Sequence, residues 1–277
     1  MIKYYKIAIV VLASLFYSCE EVIDLNIAEG DVQLVVDGWI TDLAEPTQIN
    51  LTYSAPYFSS NANPPAVNAI VVLRTANGLN DTLVETPVGS GMYETATTGQ
   101  VGETYNLYIK TTDGEEYASI PEELVSVPVI DSIFQEFREE TLFEDEGYYI
   151  QINTKEPVGL GDYYRWKFYI NDTLLNAPED LLYADDEFVD GNDINAFDVH
   201  FDPLKIGDKG RVEQLSISKN AYEFIALVQE QTLFVGSIFD FPASPIKGNI
   251  FKLNNPDETA LGFFGASSVS AEELVIQ

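Results

Sequence analysis

The sequence has one cysteine, one histidine and few basic residues, and each shortage excludes a class of site or partner. A single cysteine cannot form a disulfide within the chain, so core burial has to stabilise the fold without one. A single histidine excludes a histidine-rich zinc site. The chain has 14 lysine and arginine residues against 45 aspartate and glutamate residues, which gives a formal net charge of −31.

The acidic surplus excludes nucleic acid as a partner, because binding a phosphate backbone relies on a basic surface. It also argues against adsorption to anionic lipid headgroups through a basic patch. Hydrophobic residues make up 46% of the chain and aromatic residues 12%, far above the composition of a disordered protein. We therefore expect a packed core inside a strongly negative, solvated surface.

No apolar run reaches the roughly 20 residues that a transmembrane helix needs, but the N-terminus carries a shorter one. Lys3 and Lys6 precede an apolar stretch over residues 7–16, and a small residue stands directly before Cys19. This order predicts a secretory signal peptide over residues 1–18. A cysteine at the cleavage point resembles the relaxed lipobox of Bacteroidota lipoproteins, which implies a lipid on Cys19 and attachment to a membrane. The alternative is an ordinary signal peptide with an incidental cysteine.

Residues 19–31 are predicted to form an acidic tether between the lipid and the first strand. Glu20, Glu21 and Asp24 follow the cysteine closely. They resemble the export signal that sends Bacteroidota lipoproteins to the outer face of the outer membrane. The resemblance implies a surface-exposed protein, and a periplasm-facing protein with a merely solvated tether is the alternative.

Residues 32–128 alternate between short β-type runs and turn residues. One of the runs places Ile49, Leu51 and Tyr53 on the same face, as in a half-buried strand. Seven short strands at this spacing predict an antiparallel sandwich of immunoglobulin type.

Two local motifs support the sandwich. Asp113 and Gly114 lie between two strand-like runs and predict a hairpin with a type I′ turn. Tyr105, at the start of another run, is typical of the tyrosine corner, in which the phenol hydroxyl hydrogen-bonds to nearby backbone. Both interpretations are structural and assign no function.

Residues 129–277 are predicted to form a second β-rich domain with one helix over about 218–234. Ser218 stands where an N-cap belongs. Residues 163–170 alternate strictly, and one of their two faces is expected in the core, namely Tyr164, Trp166, Phe168 and Ile170. The other face carries two cations and is expected to be an exposed sheet face or interface strip, formed by Tyr163, Arg165, Lys167 and Tyr169.

The stretch 176–197 is acidic and is predicted to be a loop. Because hard cations bind clustered oxygen ligands, its weak calcium candidates are Asp185, Asp186, Asp190 and Asp193. The spacing fails the EF-hand template, so a solvated loop without a metal is the favoured interpretation.

Catalytic chemistry has little support in the sequence. His200 stands between Asp198 and Asp202, where it serves either as an oriented base or, as we expect, as an exposed strand residue. The chain has neither a nucleophile elbow nor a phosphate-binding glycine loop. We therefore predict no catalytic residues and no cofactor. A glycan-active hydrolase that uses two of the many carboxylates remains the alternative from the enzyme class.

Three tripeptides resemble the Asp-(Ser/Thr)-aliphatic acceptor of Bacteroidota O-glycosylation. They begin at Asp81, Asp131 and Asp172. The resemblance implies O-glycosylation at the hydroxyls of Thr82, Ser132 and Thr173.

Several segments in order resemble one family over almost the whole mature chain. They are Cys19-Glu-Glu-Val-Ile-Asp-Leu25, Leu34-Val-Val-Asp-Gly-Trp-Ile-Thr-Asp42, Gly102-Glu-Thr-Tyr-Asn-Leu-Tyr-Ile109, Asp186-Glu-Phe-Val-Asp-Gly191, Ser244-Pro-Ile-Lys-Gly-Asn-Ile250, Asn255-Pro256 and Leu261-Gly-Phe-Phe-Gly-Ala-Ser267. The series resembles the Bacteroidota lipoprotein family known as domain of unknown function 4249.

The resemblance implies an accessory protein that works with a TonB-dependent outer-membrane barrel in nutrient uptake. It implies no catalytic residues. We therefore predict a non-enzymatic, lipid-anchored protein that binds either a barrel partner or a ligand, which is a small molecule or a glycan. A structural subunit of an envelope assembly is a further alternative.

Overall fold

In the computed structural model, residues 31–56, 59, 61–233 and 246–277 are described, and their regular structure is mostly β. The predicted signal peptide and nearly all of the predicted tether lie outside the described residues. Among the residues that the structure describes, no helix combines the length and the apolar character needed to cross a bilayer.

The described residues form twenty strands, numbered here in chain order. The first nine are β1 (Leu34–Thr41), β2 (Thr47–Tyr53), β3 (Ile70–Thr75), β4 (Asn80–Thr82), β5 (Val84–Glu85), β6 (Met92–Thr95), β7 (Thr104–Lys110), β8 (Glu116–Ser119) and β9 (Glu122–Glu123). The remaining eleven are β10 (Ile130–Arg138), β11 (Gly147–Lys155), β12 (Tyr163–Ile170), β13 (Thr173–Leu174), β14 (Leu182–Asp185), β15 (Asp193–Asp198), β16 (Lys209–Ser216), β17 (Ile250–Lys252), β18 (Asn255–Thr259), β19 (Leu261–Ser267) and β20 (Val269–Val275).

The strands of the first half of the chain, joined by β17, β18 and β19, form a sandwich-like pair of sheets. One sheet has the order β19-β1-β2-β6-β5 and the other the order β18-β17-β8-β7-β3-β4, with β9 also paired to β7. The two sheets share one core, to which the first contributes Ile49 and Leu51 and the second Leu73 and Leu107. The predicted alternation of β2 is confirmed, because Ile49 and Leu51 are fully buried while Gln48 and Asn50 are exposed.

Strands from the end of the chain complete both sheets of this sandwich. β17 pairs with β8, and β19 runs parallel to β1, the one parallel pairing among the described strands. The β1–β19 contact is close, since an added Cβ on Gly262 would lie 1.9 Å from the Val36 carbonyl oxygen. The domain boundary predicted near residue 128 stays a prediction. The sandwich also includes β17, β18 and β19, which lie beyond residue 249.

The two predicted local motifs are present, one of them in a different form. β7 and β8 form the expected hairpin, but its turn is not type I′, because Gly114 has a positive φ and Asp113 does not. The backbone N–H of Gln100 donates a 2.8 Å hydrogen bond to the Tyr105 hydroxyl, as expected for a tyrosine corner.

The second half of the chain adds two more sheets around a second core. One has the order β10-β11-β15 and the other the order β13-β12-β16-β20, with β14 also paired to β12. Ile150 and Ile152 from the first sheet pack with Trp166, Phe168 and Val212 from the second. The alternation predicted for β12 is confirmed on its core side. β14 and all but the last residue of β15 lie within the stretch that was expected to be a loop, so that part of the prediction is wrong.

One α-helix, α1 (Lys219–Leu233), lies among the described residues and matches the predicted helix. The backbone N–H of Ala221 donates a 3.1 Å hydrogen bond to the Ser218 hydroxyl, which confirms the predicted N-cap. Ala221 and Ile225 face a third, smaller core that also contains Leu215 and Phe263. The helix thereby contacts both halves of the fold.

Candidate functional site

The anchoring residues predicted from the sequence, Cys19, Glu20, Glu21 and Asp24, lie outside the described residues. The predicted glycosylation hydroxyls are within them, and all three side chains are exposed: Thr82 ends β4, Ser132 lies in β10 and Thr173 begins β13. Their modification stays a prediction.

The four weak calcium candidates do not converge on one point. Asp193 is exposed and forms a 3.2 Å ion pair with Lys155. Asp185 ends β14 and accepts a hydrogen bond from the backbone of the next turn. Asp186, the next residue, is buried, with only 3% of its surface exposed.

Asp186 instead joins two carboxylates that the sequence did not single out. Ligand oxygens of Glu156, Asp162 and Asp186 all lie within 4.8 Å of one another. Each stands at a strand end: Glu156 follows β11, Asp162 precedes β12 and Asp186 follows β14. Nothing local in the sequence links these positions, and only their shared place at strand ends could have indicated them. We call these three residues the acidic cluster.

Hydrogen bonds from within the fold hold the acidic cluster. The Tyr164 hydroxyl donates to Glu156 Oε1 at 2.8 Å, and the Gly161 backbone N–H donates to Asp186 at 2.9 Å. Asp190 lies beside the cluster and accepts a 2.6 Å hydrogen bond from the Gly159 backbone. The loops that carry these carboxylates are therefore fixed to each other.

Burial raises the pKa of Glu156 and of Asp162, and the neighbouring charges of Asp186 and Asp190 raise both further. The Tyr164 hydrogen bond acts in the opposite direction on Glu156. Such a group can share protons among its carboxylates or place oxygen ligands around a hard cation.

A larger concavity, of about 510 Å³, lies beside His200. We call it the His200 cavity. Aromatic rings and polar groups line it together, among them Phe168, Tyr183, Phe201, Asp180, Asp202 and Gln229. Gln229 fixes one wall, since it accepts a hydrogen bond from the Tyr183 hydroxyl at 3.1 Å and donates one to the Leu181 carbonyl at 2.9 Å.

His200 was expected to be an exposed strand residue, and that prediction is wrong. It lies outside the strands, is 8% exposed and stacks on Phe168 with a centroid distance of 4.7 Å. Burial lowers the pKa of the imidazole, although Asp202 and Asp180 act against this shift. The ring is therefore a neutral hydrogen-bonding group near pH 7.

The His200 cavity has the composition of a small-molecule site. Phe168 and Tyr183 offer ring surfaces, while Asp180, Asp202 and the neutral His200 offer hydrogen-bond acceptors and a donor. A polar ligand with apolar ring faces, such as a sugar, fits this combination. The described lining residues of the cavity include acidic groups and no lysine or arginine. This composition disfavours binding of an anion.

Comparison with known proteins identifies a family. A family model described as "Domain of unknown function (DUF4249)" matches residues 20–273, which includes every strand described above except the end of β20. A search of curated proteins finds no match to the sequence.

Proposed function

The chain belongs to the DUF4249 family, and we propose that it is a lipid-anchored outer-membrane protein that binds a ligand at the cell surface. In this proposal it does not transform the ligand but acts as an accessory subunit of a TonB-dependent barrel in nutrient uptake. The proposal has three parts, namely the anchor, the ligand site and the barrel contact.

The anchor rests on Cys19, which carries the proposal. The only cysteine of the chain ends a signal-like segment and stands directly before the first residue of the family match. β1 begins at Leu34, so the intervening tether reaches at most roughly 50 Å when extended. That reach leaves the folded part close to the membrane surface.

The ligand site is the His200 cavity. Its volume of about 510 Å³ lies in the range of small-molecule sites. Ring faces beside carboxylate acceptors favour a neutral, hydroxyl-rich ligand, and we propose a glycan.

The barrel contact is supported by exposed apolar side chains on the two loops that carry the acidic cluster. Val158, Leu160 and Phe188 are 88%, 70% and 86% exposed. The two loops are joined by a 3.1 Å hydrogen bond from the Gly191 N–H to the Pro157 carbonyl, so they present these side chains as one surface. We call it the apolar loop patch. Apolar side chains grouped at a surface are typical of protein contacts.

A glycan-binding assay with the full-length chain in detergent tests the ligand site. Neutral oligosaccharides are expected to bind, and Phe201→Ala and Asp202→Asn are expected to weaken binding about tenfold. Ile206→Ala changes a similarly exposed residue outside the cavity lining and serves as the control. Cleavage of a bound glycan that is lost in Asp202→Asn would instead support the hydrolase alternative.

A further inference from the structure

The face of β12 and β16 opposite the second core carries four cations in a chain that is otherwise strongly acidic. Lys209 stands at the start of β16 and is paired with Asp172, and the other three lie further along this face. Arg165 and Lys167 lie on the side of β12 opposite the second core, and Arg211 pairs across the sheet with Tyr169. We call Arg165, Lys167 and Arg211 the cationic strip.

Arg211 is the member with partners. Its Nη1 forms a 3.0 Å ion pair with Glu213, and its guanidinium lies 4.0 Å from the Tyr169 ring centroid. The Tyr169 hydroxyl donates a 2.8 Å hydrogen bond to the other oxygen of Glu213. Glu213 is 6% exposed, and both of its oxygens are therefore already engaged.

Arg165 and Lys167 have neither a hydrogen bond nor an ion pair to any residue that the structure describes. Lys167 stands directly opposite Glu213 in the sheet, yet that carboxylate is committed to Arg211 and Tyr169. Burial lowers the pKa of both cations, and the charge of Arg165 lowers that of Lys167 further. Asp37 on β1 acts on both from a distance, without an ion pair within 4.0 Å.

Arg165 and Lys167 are half-buried and repel each other without a counterion, while their side-chain nitrogens stay accessible to a ligand. Carboxylates are abundant in this chain, so a structural ion pair was readily available. An arginine fork matches the two oxygens of a carboxylate, and a neighbouring lysine adds a point charge. The exposed Asp37 can accept a hydrogen bond from a hydroxyl or ammonium group of the same ligand.

We propose that Arg165 and Lys167 bind the carboxylate of a small ligand, and that Asp37 accepts a hydrogen bond from a hydroxyl or ammonium group of that ligand. An acidic sugar and a free amino acid both have this chemistry. The proposal is independent of the lipid anchor, the barrel contact and the His200 cavity, whose acidic lining favours a neutral ligand.

Isothermal titration of the full-length chain in detergent tests the site with four probes: D-galacturonate, glycine, D-galactose and inorganic phosphate. We expect D-galacturonate or glycine to bind, and whichever binds identifies the source of the carboxylate. D-Galactose tests the need for that carboxylate. Binding of phosphate alone, equal binding of D-galactose and D-galacturonate in the Phe201→Ala variant, whose His200 cavity is weakened, or binding of no probe would overturn the proposal.

Variants locate the bound carboxylate. Arg165→Gln and Lys167→Gln are each expected to weaken binding of the carboxylate probe at least about tenfold. Lys155→Gln removes an exposed cation on another sheet and is expected to leave binding unchanged. Unchanged binding in both strip variants would overturn the assignment.

The thermal midpoint measured without ligand tests the assignment of Lys167 even if one variant folds poorly. Removing an uncompensated cation should leave the thermal midpoint of Lys167→Gln equal to or above that of the wild type. A fall of several degrees would show that Lys167 is a structural residue and would overturn its assignment to a ligand.

Discussion

Glu156 and Asp186 are 2% and 3% exposed, and their carboxylates lie within 4.8 Å of each other. Glu156 follows β11 of the three-stranded sheet, and Asp186 follows β14, which pairs with β12 in another sheet. Two buried carboxylates at this distance repel each other when both are charged, and burial raises the pKa of Glu156. The acidic cluster is therefore a point where the fold gives up stability near neutral pH.

Replacing Glu156 by glutamine should stabilise the protein near neutral pH. The pKa of Glu156 is raised above its ordinary value of 4.5, so its contribution to stability is present below that value and is lost as pH rises through the folded-state pKa. Glutamine keeps the acceptor for Tyr164 and removes the charge. At about pH 7.5 we expect a gain of roughly 1 kcal/mol, or about 2–4 °C in thermal midpoint, which disappears near pH 4.

Glu187→Gln is the matched control, because it removes an exposed charge next to Asp186 in the other loop of the acidic cluster. A lower midpoint for Glu156→Gln at neutral pH would contradict this explanation. Adding millimolar calcium to the wild type distinguishes a cluster that shares protons from one that binds a cation. We expect no change in midpoint, whereas a calcium-dependent rise that Glu156→Gln abolishes would show a cation site.

Gly262→Ala tests the return of β19 to β1. Gly262 has a φ of +86°, and an added Cβ would meet the Val36 carbonyl oxygen at 1.9 Å. We expect the free energy of unfolding to fall by about 3 kcal/mol or more, measured by denaturant titration. Gly114→Ala is the control, since its φ of +91° is similar but no atom lies within 4 Å, and it should cost about 1 kcal/mol. Equal losses in the two variants would contradict the close β1–β19 pairing.

His200 should titrate below its ordinary pKa of 6.5, because burial disfavours the imidazolium. Its contribution to stability is present above that value and is lost as pH falls through the folded-state pKa, since the unfolded chain takes up the proton first. The chain has one histidine, so its NMR signal is unambiguous. His200→Gln should lose less stability than the wild type between about pH 7.5 and 5.5. A measured pKa at or above 6.5 would contradict the buried, neutral ring.

Local sequence patterns predicted the helix, strands and hairpin that are determined by residues close together in the sequence. The alternation of β2 and β12, the Ser218 cap of α1 and the β7–β8 hairpin all follow from neighbouring residues. The parallel pairing of β19 with β1 depends on contacts between opposite ends of the chain, and no period in the sequence encodes such a partner.

The sites were less predictable for the same reason. The acidic stretch indicated Asp186, but its partners Glu156 and Asp162 come from another loop. The sequence showed His200 among acids, yet only the packing of Phe168 against it reveals a buried ring. The two cations on one face of β12 were predicted from alternation, whereas their lack of partners among the described residues depends on how Glu213 is engaged.

The most direct test of the proposed function is an affinity pull-down of the lipidated protein from detergent-solubilised outer membranes, read by mass spectrometry. We predict recovery of one TonB-dependent barrel in stoichiometric amount. Cys19→Ala should abolish membrane attachment and this recovery, and Leu160→Ser should lose the barrel while keeping the lipid. Ile206→Ser, which changes an equally exposed apolar residue outside the apolar loop patch, should keep both. Recovery of no barrel by a protein shown to be lipidated and surface-exposed would contradict the accessory role.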